Sequence, residues 1–101
     1  MPGHAERRMA MDHPAAAGHF PGNPIIPGAA LLAEIIGAIA PEHPGLICRQ
    51  IGSAKFLHPV RPGDLLSIDW EAAANGDIRF TCALAPDGPR VLTGALRFGA
   101  P

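Results

Sequence analysis

The chain has 101 residues, 48% of them hydrophobic and 17% charged, a balance that folds rather than staying disordered. Its net charge is -1 and no basic run exceeds Arg7 and Arg8, so it offers no broad surface to neutralise a phosphate backbone, and nucleic acid is not an expected partner. No uninterrupted apolar stretch approaches about 18 residues and the polar N-terminus leads into no signal-type run, so the expectation is a cytoplasmic protein without a membrane segment.

Taken in chain order, residues 1–12 have room for one short strand around Arg7 to Met11. Residues 13–28 hold Pro14, Pro21, Pro24, Pro27, Gly18, Gly22 and Gly28, which exclude regular helix or central strand and predict a shaped loop. Loops of this length in small domains are often functional. Ala29 to Ala40 is apolar nearly all round apart from Glu34, so it predicts a buried helix, stopped by Pro41.

Beyond the helix the pattern predicts strands at Leu46 to Val60, with a break near Gly52 and Ser53, then Leu65 to Glu71, Asp77 to Leu84 and Arg90 to Phe98. Leu66, Ile68 and Trp70 alternate with polar residues, as do Ile78, Phe80 and Cys82, giving each strand one dry face. Turn signals at Pro62-Gly63-Asp64, Asn75-Gly76 and Pro86-Asp87-Gly88-Pro89 predict antiparallel hairpins between consecutive strands. One buried helix and an antiparallel meander predict an α+β domain spanning residues 1–101, with the sheet curled around the helix. A core this small gains from a partner subunit.

Cys48 and Cys82 lack metal-type or redox spacing and fall in strand patterns, where a free thiol packs as a small hydrophobe. No pair of histidines shows ligand spacing with a carboxylate, so neither a metal nor another cofactor is expected. His58 and the Pro-flanked His4 and His43 read as surface or edge residues.

Gly18-His19-Phe20-Pro21-Gly22-Asn23-Pro24-Ile25-Ile26-Pro27-Gly28, directly before the helix, resembles the His-Phe-Pro-Gly-x-Pro-x-x-Pro-Gly signature of the beta-hydroxyacyl-ACP dehydratases. Ala54-Lys55-Phe56-Leu57-His58-Pro59-Val60-Arg61-Pro62-Gly63-Asp64 resembles the strand and turn that follow the helix in the same family. The resemblance covers the chain from about His13 onward. It implies a hotdog fold, with an antiparallel sheet wrapped around a central helix, and an acyl thioester substrate on acyl carrier protein or CoA. It also implies a homodimer, a heterodimer with a paralogue, or a higher oligomer. The short length is similar to members that accompany carrier proteins in aryl-polyene and related pathways.

The chemistry of dehydration needs a base for the C2 proton, an acid for the departing hydroxyl and a donor for the thioester oxygen. His19 suits the base, its imidazole held by a Pro/Gly-framed loop. The backbone N–H groups of Gly28 and Ala29, at a helix N-terminus, suit the oxyanion. Phe20, Gly22 and Pro27 would shape the substrate site. The acid departs from the resemblance: the family carries a helix carboxylate fourteen residues after its histidine, and Ala33 stands there, with Glu34 one place later. One residue turns a helical side chain by about 100°. Glu34 is therefore either the displaced acid or a rim residue that reaches solvent or pairs with an arginine; Asp12 and His13 are weaker substitutes that read as a turn start. Lys55, Arg61 and Arg49 could meet a pantetheine phosphate or an acidic carrier, against the ordinary reading of solvated strand cations. Two other functions stay open: an acyl-binding subunit without catalysis, which Ala33 favours, and a thioesterase, which would need Glu34 to activate water.

Overall fold

A computed structural model of the chain describes residues 2–12 and 24–101. Strand β1 (Gly3–Arg8) comes first, followed by helix α1 (Gly28–Ile39) and a short 3-10 turn at Ala40–Glu42. The strands β2 (Ile47–Phe56), β3 (Leu65–Ala72), β4 (Ile78–Leu84) and β5 (Arg90–Gly99) complete one antiparallel sheet in the order β1-β3-β4-β5-β2. This is the helix-on-curled-sheet α+β arrangement that the sequence pattern predicts.

The alternation in the sequence sets which face is dry. Leu66, Ile68 and Trp70 on β3, Ile78, Phe80 and Cys82 on β4, and Val91, Leu92 and Leu96 on β5 are buried. They form one cluster with Leu31, Ile35, Ala38 and Ile39 of α1 and with Met9, Ile26 and Val60 from the connections. Complete burial of Ile35, Ile39 and Leu66 means that cutting any one of them to Ala removes about 2–5 kcal/mol, so packing holds the helix in place. Burial pushes the Cys82 thiol up to about 12, which keeps it protonated and inert in the core. Cys48, on β2, is only half-buried.

Residues directly opposite one another in antiparallel strands share a face, so the register defines rows across the sheet. One row runs Gly3, Trp70, Phe80, Gly94, Ala54. The two aromatic rings of this row lie over the two glycines: a Cβ on Gly3 would run into the Trp70 indole, and one on Gly94 into the Phe80 ring and the Ser53 carbonyl. The Trp70 indole N–H donates to the Glu42 carboxylate at 2.8 Å and ties the turn after α1 to the sheet.

Several expectations are corrected. The first strand ends at Arg8, because its ladder to β3 closes with Arg8 opposite Leu65 and Met9 then turns into the core. The meander is correct for β3, β4 and β5, which turn at Asn75-Gly76 and at Pro86 to Pro89, but β2 and β3 form no hairpin. Residues 57–64 instead cross from one side of the sheet to the other. They are held by Leu57 N–H to Val91 O, by Ile26 N–H to Val60 O, and by a reciprocal pair between Met9 and the Gly63-Asp64 turn. Gly63 supplies the positive φ (91°) of that turn. The break expected near Gly52 is a register shift between Ile51 and Ser53 within one strand. Finally, α1 is buried on one side only: Ala29, Ala33 and Gly37 form an exposed stripe of small residues.

The Gly94 row has a direct consequence. Because backbone as well as a ring fills its missing side chain, Gly94→Ala is expected to destabilise the fold by about 1–3 kcal/mol, read as a lower urea midpoint at unchanged m-value.

Candidate active site

His19, Phe20 and Gly22, and His13 beside them, lie outside the described residues. What the structure does place is the end of their segment. Ile26 is buried and bonded to the crossing strand, and Pro27 stands at the N-cap of α1 in an extended conformation without a side-chain cap. The first bond of the helix is Leu31 N–H to Pro27 O at 3.1 Å, so the amides of Gly28, Ala29 and Ala30 have no acceptor within the helix. Proline at the cap also removes the side-chain oxygen that would ordinarily satisfy them.

A groove of about 470 Å³ opens at this helix end, lined by Ile26, Gly28, Leu31, Phe56, Leu57, His58, Pro59 and Val60. Among the described residues its lining is apolar except for His58. The His58 ring lies with Nδ1 2.7 Å from the Pro59 carbonyl; a carbonyl only accepts, so Nδ1 donates in this bond. A second depression of about 330 Å³ beside Pro2, Gly3, Trp70 and Phe80 is lined, among the described residues, by none from α1. The groove therefore has the stronger claim as a ligand site: apolar walls converge on backbone donors that the helix itself leaves without an acceptor.

Gly28 has a more specific reason than loop shape. A Cβ there would stand 2.7 Å from Cε1 and 2.8 Å from Cζ of Phe56, so the aromatic ring rests directly on the first residue of the helix. Phe56 closes β2 opposite Leu92, in the row that continues to Cys82, Ile68 and Ala5, and so belongs to the core-facing side of the sheet. It is nevertheless 52% exposed, because α1 packs chiefly on β1 and β3 and meets Phe56 through its first residue, Gly28.

Glu34 is half-buried on the other side of the helix end, toward β1, where Arg7 Nη1 lies 3.5 Å from its Oε2. With side chains 40% and 28% exposed this pair contributes about 0.2–1 kcal/mol, a weak tether. Ala33 is exposed, and neither it nor Glu34 is among the groove's lining residues. The arginine partner is the alternative that the sequence left open for Glu34. Among the remaining titratable candidates, Asp12 is an exposed turn residue, His4 pairs with Asp69 at 2.7 Å, and His43 stacks on Phe98 with ring centres 4.6 Å apart. Among the described residues no group of three or more His, Cys, Asp or Glu could hold a metal ion, and no helix is long and apolar enough to cross a membrane.

With this geometry in place, comparison with known proteins supplies the family. The ApeI-like family, described as ApeI dehydratase, matches residues 4–93. The chain belongs to the ApeI-like dehydratase family. A 3-hydroxyacyl-[acyl-carrier-protein] dehydratase FabZ of Chloroflexus aggregans is 40% identical over 72 residues, covering 63% of this chain and 50% of that protein. The chain thus spans about half the length of the curated relatives it matches. Among solved structures, the dehydratase heterocomplex ApeI:P from Xenorhabdus doucetiae superposes with a TM-score of 0.82 at 20% identity, over 96% of this chain and 86% of that one. The (R)-hydratase from A. caviae involved in PHA biosynthesis gives 0.74 at 18% identity, over 100% and 95%. These neighbours establish the hotdog fold.

Within this ApeI-like chain, sequence reasoning marked Phe56 only as part of a family-like strand and missed its contact with Gly28. The available signal was an aromatic residue at the end of a strand immediately before a Pro-containing crossing. The exposed ring is free to swing, so Gly28→Ala should cost less than about 1 kcal/mol, partly offset by the better helix propensity of alanine. A melting temperature within a few degrees of the parent, with a displaced Phe56 ring in a crystal structure or in ring-proton NOEs, checks this.

Proposed function

We propose that this chain reversibly dehydrates a 3-hydroxyacyl thioester to the 2-enoyl thioester, the acyl group being carried by acyl carrier protein or CoA, in fatty acid or polyketide-like synthesis. The observation that carries this reading is the uncapped N-terminus of α1 at Pro27-Gly28-Ala29, opening on an apolar groove directly after the histidine motif.

His19 takes the C2 proton as the general base. Electron density moves onto the thioester oxygen, where the Gly28 and Ala29 amides donate hydrogen bonds and the helix dipole adds partial positive charge. The C3–O bond breaks as a protonated acid donates to the hydroxyl, and water leaves. Glu34 is the only ionisable side chain of α1, and it is the proposed acid. Because it faces β1 and not this chain's own groove, in that role it serves the groove of a second copy, and its pair with Arg7 must open or rearrange during turnover. Phe20, Gly22 and Pro27 shape the mouth of the site. The cytoplasm is the compartment that fits a carrier-bound substrate.

A dimer belongs to the same proposal. Strand β2 is ten residues long, is hydrogen-bonded only to β5, and leaves Leu46, Ile47 and Ile51 42–45% exposed. A long apolar edge of this kind needs cover, and a second copy pairing β2 with β2 about a two-fold axis would supply it. The specific alternative is a subunit without catalysis, paired with a catalytic paralogue. Ala33 at the family's carboxylate position favours it, together with the Arg7 partner of Glu34. The similar structure from Xenorhabdus doucetiae is itself a dehydratase heterocomplex. A thioesterase gains least, because the candidate for activating water is the same Arg7-paired Glu34.

Hydration of a short 2-enoyl thioester, followed as loss of absorbance, tests the activity on wild type, His19→Ala and Glu34→Gln. Loss of about 10²–10⁴-fold in both variants is the expected result. Loss with His19 alone places the acid elsewhere, and a folded, inactive wild type on both carrier and CoA substrates moves the assignment to the binding subunit. Light scattering after size exclusion tests the edge: the parent should elute as a dimer and Ile51→Lys as a monomer.

A further inference from the structure

We infer that Phe56 is the residue that sets acyl-chain length in this site, an inference that rests on the thioester reading above but not on catalysis. Three observations converge on one ring. Phe56 lies against Gly28, the residue whose amide opens the helix N-terminus, with Cε1 and Cζ 2.7 and 2.8 Å from where a Cβ would be. The same ring lines the apolar groove together with Ile26, Leu31, Leu57 and Val60. It is also 52% exposed while its row neighbours Leu92 and Cys82 are completely buried, so nothing in the core fixes its rotamer.

The ring therefore stands between the position of a thioester carbonyl and the space into which the acyl chain would extend. A short chain ends beside the seated ring; a longer chain must displace it or pass along it. The groove floor, Leu31, Val60 and Ile26, is buried and packed, which leaves the exposed Phe56 and Leu57 as adjustable walls, and of these Phe56 is the one that lies against Gly28. His58 lines the same groove but is braced on the Pro59 carbonyl, so it is the fixed polar mark at the rim.

Each methylene moved from water into an apolar wall strengthens binding about fourfold. Removing the ring should therefore reward long chains selectively. Dissociation constants for butanoyl and octanoyl pantetheine thioesters, measured by calorimetry on the intact chain, give the readout without requiring turnover. Phe56→Ala is expected to raise the octanoyl-to-butanoyl affinity ratio at least tenfold. Phe56→Leu, which keeps an apolar seat on Gly28, should raise it less, and Phe56→Trp should lower it below the parent value.

Equal ratios in parent, Phe56→Leu and Phe56→Trp overturn the inference, whatever the fate of the Ala variant. Saturated thioesters that fail to bind the parent at millimolar concentration overturn it together with the thioester reading. Ratios that shift as expected in a protein that hydrates no enoyl thioester sustain the role of Phe56 and remove the dehydratase assignment alone, so the two failures are distinguishable.

Discussion

Everything in this structure depends on how much of one apolar helix a single sheet can cover. Helix α1 carries one carboxylate and otherwise only Gly, Ala, Leu and Ile, so it must be surrounded by apolar surface. One copy of the chain meets half of that need. Leu31, Ile35, Ala38 and Ile39 pack into the sheet, chiefly over β1 and β3, while the stripe of Ala29, Ala33 and Gly37 stays exposed. The uncovered side consists of the smallest residues the helix has, which limits the area at stake.

The same geometry produces the candidate site. Because α1 lies chiefly over β1 and β3, the core-facing side of β2 is only lightly covered, and Ile51 and Phe56 remain exposed in register with buried Leu96 and Leu92. An apolar sheet face beyond the end of an apolar helix is a groove by construction. It opens where the helix begins, so the first-turn amides, which have no acceptor within the helix, sit at its head, a few residues in sequence after the histidine motif. Core packing and the ligand site are two consequences of one offset between helix and sheet.

How far this was legible in the sequence follows from which signals are local. The strands β3, β4 and β5 and their turns could be read from period-two alternation and from Asn75-Gly76 and Pro86 to Pro89, and they form as expected. The helix was evident from its apolar run and its bounding prolines. The partner of β2 was not legible, because the Pro62-Gly63-Asp64 turn signals a reversal without saying how far the chain travels before pairing; Leu57 to Val60 carry it across the sheet to the far side. The first strand was misplaced because Met9 and Met11 look equally strand-like, and only tertiary contact separates the buried Met9 from the exposed Met11. In the site, the helix start and Gly28 were legible, but Phe56 was not. Its importance lies in a contact across 28 residues of sequence that no periodicity reports.

The remaining question of chemistry is geometric. Shifting a carboxylate one place along a helix rotates it by about 100°, and in this chain the rotation carries it from the exposed stripe at Ala33 toward Arg7 on β1. A pair 3.5 Å apart and partly wet contributes little by itself, so Arg7 braces Glu34 only weakly. A dehydratase that uses Glu34 must spend each cycle partly releasing it from Arg7, whereas an acyl-binding subunit has no such need and can keep the pair as a brace between β1 and α1. Arg7 is thus the residue on which the two functional readings diverge. Removing its charge should loosen the brace in a binding subunit, and in an enzyme it should change how readily the acid accepts and returns its proton.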